Sequence, residues 1–202
     1  MKIAIVAYAG AMDSVLSGIA EVLHLARDKF CADITKVSLV QEDKLPRQVF
    51  DVLIVPPSLN PSPPNPGIEL IDWLKWQHQN DCVLASACAG SFILAGSGLL
   101  DGRVATTHWM LAQKLSDQYP RVKLQAERLI VDEGDIITAG GVAAWMDLVI
   151  LLINRFFGSA TAVAIGKFFL VDTGPREQSF YTCFVPLLDH QDAVVLDVQQ
   201  RI

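Results

Sequence analysis

Short apolar runs alternate along the chain with stretches in which apolar residues recur at helical spacing. The runs at 2–8, 34–40, 49–55 and 81–86 are rich in aliphatic and β-branched residues, which is the pattern of buried strands. Between them, apolar residues at 14–30 and 67–79 lie three and four positions apart and predict helices. Strands that alternate with helices predict an α/β fold, in which a parallel sheet is covered by helices on both faces.

The second half of the chain continues this alternation with shorter elements. We predict helices at 90–96, 109–118, 142–157 and 160–169, strands at 103–107 and 136–138, and a short helix at 192–201. The segment 122–131 alternates like a strand, and 132–135 has the composition of a hairpin turn. Six prolines between Pro56 and Pro66 exclude a helix or a central strand, so we expect a loop there. We expect one domain spanning residues 1–202.

Composition narrows the cellular context. Hydrophobic residues make up 51% of the chain and charged residues 19%, yet no apolar run reaches the roughly 18 residues of a membrane span. The chain begins directly with a strand-like run, so we expect no secretory signal. The four cysteines are widely spaced and form no zinc-ligand pattern, which favours reduced thiols in the cytoplasm and no bound metal or cofactor. The apolar surplus also favours a homodimer.

The acidic net charge of the chain argues against a nucleic-acid-binding surface. The formal net charge is −6 and the pI is near 5.1, whereas binding to nucleic-acid phosphates requires clustered lysine and arginine. Any contact with DNA would therefore have to come from residues outside this chain.

The strongest chemical feature is Cys88, which lies between a predicted strand and a predicted helix. Ala87, Ala89 and Gly90 are small, as a nucleophile elbow requires, because the backbone must turn sharply beside the reactive residue. The N–H groups that open the next helix would favour the thiolate and lower the pKa of Cys88. Cysteine is also among the most buried residues, so a core-filling Cys88 is an equal alternative.

Further positions at predicted strand ends could join Cys88. His108 follows the strand at 103–107 and could act as an acid or a base toward the thiol, although a histidine at a helix entry can also be satisfied by the backbone. Gly140 and Gly141 follow the next strand, where they permit the close approach of a ligand or simply tight packing. Asp147 lies among apolar residues of a helix, so we expect it to be buried and paired.

Taken together, these residues resemble the ThiJ/PfpI superfamily. The resemblance is carried by 84–95, 98–103 and 106–109, and it implies a class I glutamine amidotransferase-like, flavodoxin-like architecture. More closely, with 18–23, 138–142, Asp147, 170–172, Arg176 and Gln178, the chain resembles the amidase-like N-terminal domain of AraC/XylS-type transcriptional regulators.

The resemblance implies roles for individual residues. The cysteine at the position of Cys88 is the superfamily's nucleophile, and the histidine at the position of His108 is its frequent companion. Enzymatic members also carry an acidic residue in the first helix, but alignment on 18–23 places Val15 there, and Asp13 lies two positions away. Without that carboxylate the thiol loses a partner for proton transfer, which favours sensing over catalysis.

In the regulators a helix-turn-helix domain follows at about the position where this chain ends. We therefore expect a small-molecule-sensing and dimerisation domain, which reaches DNA only through a C-terminal domain outside the chain. The predicted ligand-binding residues are Cys88, Ala89, Gly90, His108, Gly140, Gly141 and Asp13. Two alternatives stay open: a cysteine-dependent hydrolase or hydratase with Cys88 and His108 as catalytic residues, and a redox sensor in which Cys88 is oxidised.

Overall fold

A computed structural model describes residues 1–60, 62–172, 174 and 176–181. Its strands are β1 (Lys2–Ala7), β2 (Lys36–Gln41), β3 (Val52–Val55), β4 (Val83–Ala87), β5 (Val104–Ala105), β6 (Lys123–Leu124), β7 (Ile130–Asp132) and β8 (Ile136–Ala139). Its α-helices are α1 (Asp13–Phe30), α2 (Ile68–Gln79), α3 (Ser91–Gly96), α4 (Ala112–Gln118), α5 (Trp145–Phe157) and α6 (Ser159–Phe169). The helix predicted at 192–201 lies outside the described residues.

The central sheet has six strands in the order β2-β1-β3-β4-β8-β7. All neighbours are parallel except β7, which pairs antiparallel with β8 across the turn predicted at 132–135. The parallel register places the carboxyl ends of β1, β3, β4 and β8 along one edge. Ala87 pairs with Ala139 at this edge, so the residues that follow the two strands emerge side by side. The predicted α/β architecture is confirmed.

Two apolar cores fill the faces of the sheet. Alternate strand residues such as Ile5, Ile54 and Ile137 pack against α1, α5 and α6 on one face. Their neighbours Val6, Leu53 and Ile136 pack with buried residues of α2, α3 and α4 on the other. Because successive side chains of a strand point to opposite faces, near-continuous apolar strands are what this double covering requires.

Several predicted boundaries need correction. The strand predicted at 103–107 is only the two-residue β5, and it pairs with β6 in a separate small sheet rather than in the central one. The segment 122–131 is not one strand but β6 and the start of β7, which belong to different sheets. Alternation of apolar residues reports burial of one face, and it does not say which sheet provides the partner strand.

At the amino ends of β4 and β8 a charged cluster ties distant elements together. Arg103 makes a bidentate contact with Asp135, with N–O distances of 2.6 and 2.8 Å, and His78 Nε2 lies 2.6 Å from the same carboxylate. Arg103, more than His78, holds the pKa of Asp135 well below its usual range. This contact leaves the His78 side chain only partly exposed.

No helix among the described residues is long and apolar enough to cross a membrane.

Candidate functional site

Cys88 lies in a sharp turn between β4 and α3. Its φ of 54° is in the left-handed region, which is uncommon for a residue with a side chain. A single 3-10 turn, Cys88–Gly90, leads into α3. A Cβ on Gly90 would lie 2.8 Å from the carbonyl oxygens of both Val55 and Pro56, so only glycine fits where the turn passes the end of β3. The sharp backbone turn expected from the small neighbours of Cys88 is present, and its role as a nucleophile elbow stays a prediction.

The Cys88 thiol is buried, with 2% of the residue exposed. Burial raises its pKa to about 11, and a hydrogen bond with the backbone of Ala89 lowers it by a smaller amount. The expectation that the next helix lowers this pKa is therefore wrong. The reason is desolvation: removing the thiolate from water costs more than the backbone N–H of Ala89, in the 3-10 turn before α3, returns.

His108 lies at the end of the segment that follows β5 and caps another 3-10 turn, Trp109–Leu111. Its Nδ1 accepts a hydrogen bond from the backbone N–H of Met110 at 3.2 Å, which assigns the proton of the neutral ring to Nε2. Burial lowers the pKa of His108, and its ring stacks on Trp109. Within the described part of the chain, no hydrogen bond joins His108 to the Cys88 thiol.

Thr107 provides the link between the elbow and the histidine segment. Its hydroxyl donates to the carbonyl oxygen of Cys88 at 3.0 Å, and the hydroxyl of Ser91 donates to the same oxygen at 2.9 Å. Both hydroxyl-bearing residues are fully buried. The elbow is thus held through its backbone, while its thiol stays protonated.

Tyr8 is a site neighbour that the sequence did not single out. It follows β1 at the same sheet edge, it is 5% exposed, and its hydroxyl donates to the carbonyl oxygen of Pro56 at 2.8 Å. Burial raises its pKa, and the nearby Cys88 and Glu42 raise it further. The available signal was its position at the carboxyl end of a strand, the end at which parallel sheets bind ligands.

Gly140 lies beside the elbow, and the chain fills the space above it with its own side chain. A Cβ on Gly140 would overlap the amide of Gln178, which is 2% exposed. The Gln178 amide nitrogen lies 2.9 Å from the carbonyl oxygens of Thr107 and Arg128 and 3.0 Å from that of Ala126. Another group therefore packs closely against Gly140, and that group is the side-chain amide of Gln178.

The remaining predicted residues lie at varying distances from this centre. Gly141 precedes the 3-10 turn Val142–Ala144, and that turn contacts the turn of Cys88. Asp13 begins α1 and is exposed, whereas Val15 is buried in the core. Asp147 is paired with Arg176 at 2.5 Å, as predicted, but it is partly rather than fully buried. Their proposed contacts with a ligand stay predictions.

A cleft of about 840 Å³ lies next to this centre, between β7, α5, α6 and the segment that contains Arg176. Arg128 and Glu177, which flank the Gln178 contacts, line it, but Cys88 and His108 do not. Among the described residues, no three His, Cys, Asp or Glu side chains gather closely enough to hold a metal ion.

The model of the DJ-1/PfpI family matches residues 12–155, which include the elbow, the histidine segment and most of α5. The chain belongs to this family. The matched residues include β2 to β8 and Cys88, whereas β1 and α6 lie outside them. Family membership does not by itself distinguish a sensor from an enzyme.

Individual relatives point in two functional directions. The HTH-type transcriptional regulator CdhR of Pseudomonas aeruginosa is 35% identical over 102 residues, which are 50% of this chain and 30% of CdhR. The isonitrile hydratase of Pseudomonas putida is 30% identical over 115 residues, 56% of this chain and 49% of that enzyme. The chain thus matches half or less of each of these relatives.

Solved structures show the same fold. An AraC family transcriptional regulator from Pseudomonas putida superposes with a TM-score of 0.67 at 17% identity, covering 83% of this chain and 98% of that one.

Proposed function

We propose that this chain is the small-molecule-sensing domain of an AraC-type transcriptional regulator. The observation that carries the proposal is the state of Cys88: an elbow cysteine whose thiol is buried and protonated, in a family shared by regulators and enzymes. The predicted ligand position is the sheet edge where Cys88, His108 and Gly141 lie, since parallel sheets bind ligands at the carboxyl ends of their strands.

The chemistry of the site favours binding over turnover. With a pKa of about 11, only about 10⁻⁴ of the thiol is ionised at pH 7, and the thiolate is the nucleophile. His108 is not hydrogen-bonded to the thiol, and the position expected for an activating carboxylate carries the buried Val15. A bound molecule would find polar groups for recognition but no activated nucleophile.

The rest of the proposal concerns partners and location. DNA would be contacted by a helix-turn-helix domain beyond residue 202, and the protein would act in the cytoplasm as a homodimer. The similarity to the regulator CdhR supports the DNA-binding role. Exposed apolar side chains around the end of α6 support a second copy as partner: Val163, Phe168, Phe169 and Leu170.

The alternative is a hydratase or hydrolase that uses Cys88. The left-handed elbow and the similarity to an isonitrile hydratase favour it. For an isocyanide R–NC, hydration adds one water and gives the formamide R–NH–CHO. Cys88 Sγ would attack the terminal carbon, and water would then release the product and the thiol.

One pair of measurements separates the two functions. Purified protein is incubated with an alkyl isocyanide, and formamide is followed by proton NMR; we expect no turnover above that of the Cys88→Ala variant. In the source organism, deletion of the gene is expected to change the transcript levels of a small set of genes, and Cys88→Ala is expected to restore them.

The control variant is Cys82→Ala, which removes another buried thiol at the opposite end of β4. Formamide production that Cys88→Ala abolishes and Cys82→Ala retains would overturn the sensing proposal in favour of the hydratase. An unchanged transcript profile in the deletion strain would also contradict it.

A further inference from the structure

Gln178 brackets His108 from both sides. Its amide nitrogen donates to the carbonyl oxygen of Thr107 at 2.9 Å, and its amide oxygen accepts from the backbone N–H of Trp109 at 3.3 Å. These are the residues immediately before and after His108. One buried side chain, contributed from about 70 positions further along the chain, therefore fixes the backbone that aims the imidazole.

The Gln178 amide also makes hydrogen bonds to residues outside the His108 turn. Its nitrogen reaches Thr106 Oγ1 at 3.2 Å and the carbonyl oxygens of Ala126 and Arg128 at 3.0 and 2.9 Å. An amide group has two protons, so they are shared among these oxygens and that of Thr107. Replacing Gln178 would remove all of these hydrogen bonds, although the Thr106 hydroxyl would still donate to the carbonyl oxygen of Arg128 at 2.8 Å.

The position of Gln178 depends on Gly140. A methyl group there would overlap the amide, so the glycine at the end of β8 makes room for it. The backbone N–H of Gln178 also donates to the carbonyl oxygen of Glu127 at 2.8 Å. An isolated antiparallel β-bridge joins Arg128 and Glu177. The segment at 177–178 is therefore docked by backbone as well as by side chain.

We infer that Gln178 is a positioning residue, which holds the His108 turn against the Cys88 elbow and couples both to the segment that follows α6. A molecule that displaces the His108 turn must move Gln178 with it or break its hydrogen bonds. In a sensor, ligand binding at the site would be transmitted to the rest of the protein through residues 177–181. This regulatory role rests on the proposed sensing function. The positioning role itself does not.

The test uses purified protein without ligand or DNA. Gln178→Met roughly keeps the volume of the side chain and removes every side-chain hydrogen bond, and Gly140→Ala expels the amide sterically. We expect each variant to increase amide exchange of the peptide around Trp109 by at least about tenfold. We also expect the NMR titration midpoint of His108 to move up toward the ordinary histidine value of about 6.5, because the loosened imidazole regains water.

The design contains two controls. Glu177→Gln alters an exposed neighbour in the same segment and should change neither readout. The double variant Gly140→Ala with Gln178→Met should match the more affected single variant, because both changes break the same contact.

Exchange within about twofold of the parent protein and an unshifted His108 midpoint in Gln178→Met would overturn the inference, as would additive effects in the double variant. The outcome is independent of ligand and DNA. A failed gene-control experiment would therefore leave it standing, and its own failure would leave the sensing proposal untouched.

Discussion

The hydroxyl of Thr107 donates a hydrogen bond of 3.0 Å to the carbonyl oxygen of Cys88. It is a direct side-chain link between the β5 segment, which belongs to a separate small sheet, and the elbow at the end of β4. The elbow is held in the left-handed region at φ 54°, a conformation that needs support from its surroundings. We therefore expect Thr107 to stabilise the turn as well as the core.

Replacing Thr107 with valine should lower the free energy of unfolding by about 1–2 kcal/mol, because a buried hydrogen bond is lost while the volume is kept. The matched control is Thr161→Val, whose half-buried hydroxyl donates to the carbonyl oxygen of Phe157 within a helical segment. Its cost should stay below about 0.5 kcal/mol. Urea unfolding compares the two, and equal losses would contradict the special role of Thr107.

Cys88 should react slowly at neutral pH. Its alkylation by iodoacetamide, followed by peptide mass spectrometry, is expected to keep rising up to a pH of about 11, because only the thiolate reacts. Exposed Cys31 serves as the internal reference. An apparent pKa at or below about 8.5, the ordinary cysteine value, would contradict the buried-thiol description and favour the enzyme or redox alternative.

The same thiol makes stability depend on pH. The unfolded chain releases this proton near the ordinary cysteine pKa of about 8.5, whereas the folded chain retains it to about 11. The folded state therefore binds more protons in this window, so the free energy of unfolding should fall as pH rises through it. Urea unfolding at several alkaline pH values should show a flatter decline for Cys88→Ala than for the parent protein.

The Asp135 carboxylate should contribute stability above its unfolded pKa and lose it in acid. Arg103 and then His78 lower its pKa, so protonation at falling pH weakens the folded state. Because the side chain is 44% exposed, we expect Asp135→Asn to cost only about 1 kcal/mol at pH 7 and less near pH 3. Asp101→Asn, whose partner Arg121 is 78% exposed, should cost almost nothing. Equal costs at both pH values would contradict the electrostatic origin.

Gly90→Ala should be the most disruptive single methyl addition near the elbow. The new Cβ would lie 2.8 Å from two backbone oxygens, which cannot move aside like a flexible side chain. We expect a loss of about 2–3 kcal/mol in unfolding free energy. Gly141→Ala, whose Cβ would meet only Ala144 at 3.9 Å, should lie within about 0.5 kcal/mol of the parent protein. A tolerated Gly90→Ala would contradict the close packing of the elbow on β3.

The sequence predicted the central sheet and the elbow because both depend on local patterns. Apolar runs fixed β1, β3 and β4, and the small residues around Cys88 indicated the turn. The pKa of the thiol could not be predicted in the same way, since it depends on burial by residues from several elements. Local sequence suggested activation by α3, and desolvation outweighs it.

The role of Gln178 could not be predicted from the sequence, for a different reason. Its partners lie some 50–70 positions earlier, and no periodicity connects it to Thr107 or Trp109. The resemblance to the regulators included Gln178 but implied no role for it. Gly140 indicated part of this arrangement. A glycine at a strand end predicts close packing, but it does not say whether a ligand or the chain itself packs there.

The contacts of Arg176 and Gln178 also show that this folding unit extends beyond α6. Arg176 pairs with the partly buried Asp147 of α5, and Gln178 donates to the carbonyl oxygens of Thr107 and Ala126. A protein truncated at the end of α6 would leave the Asp147 carboxylate without Arg176 and would remove the hydrogen bonds that Gln178 donates. The folding unit therefore extends at least to Gln178, and a design that fuses or excises this domain must keep the segment at 176–178 as well as α6.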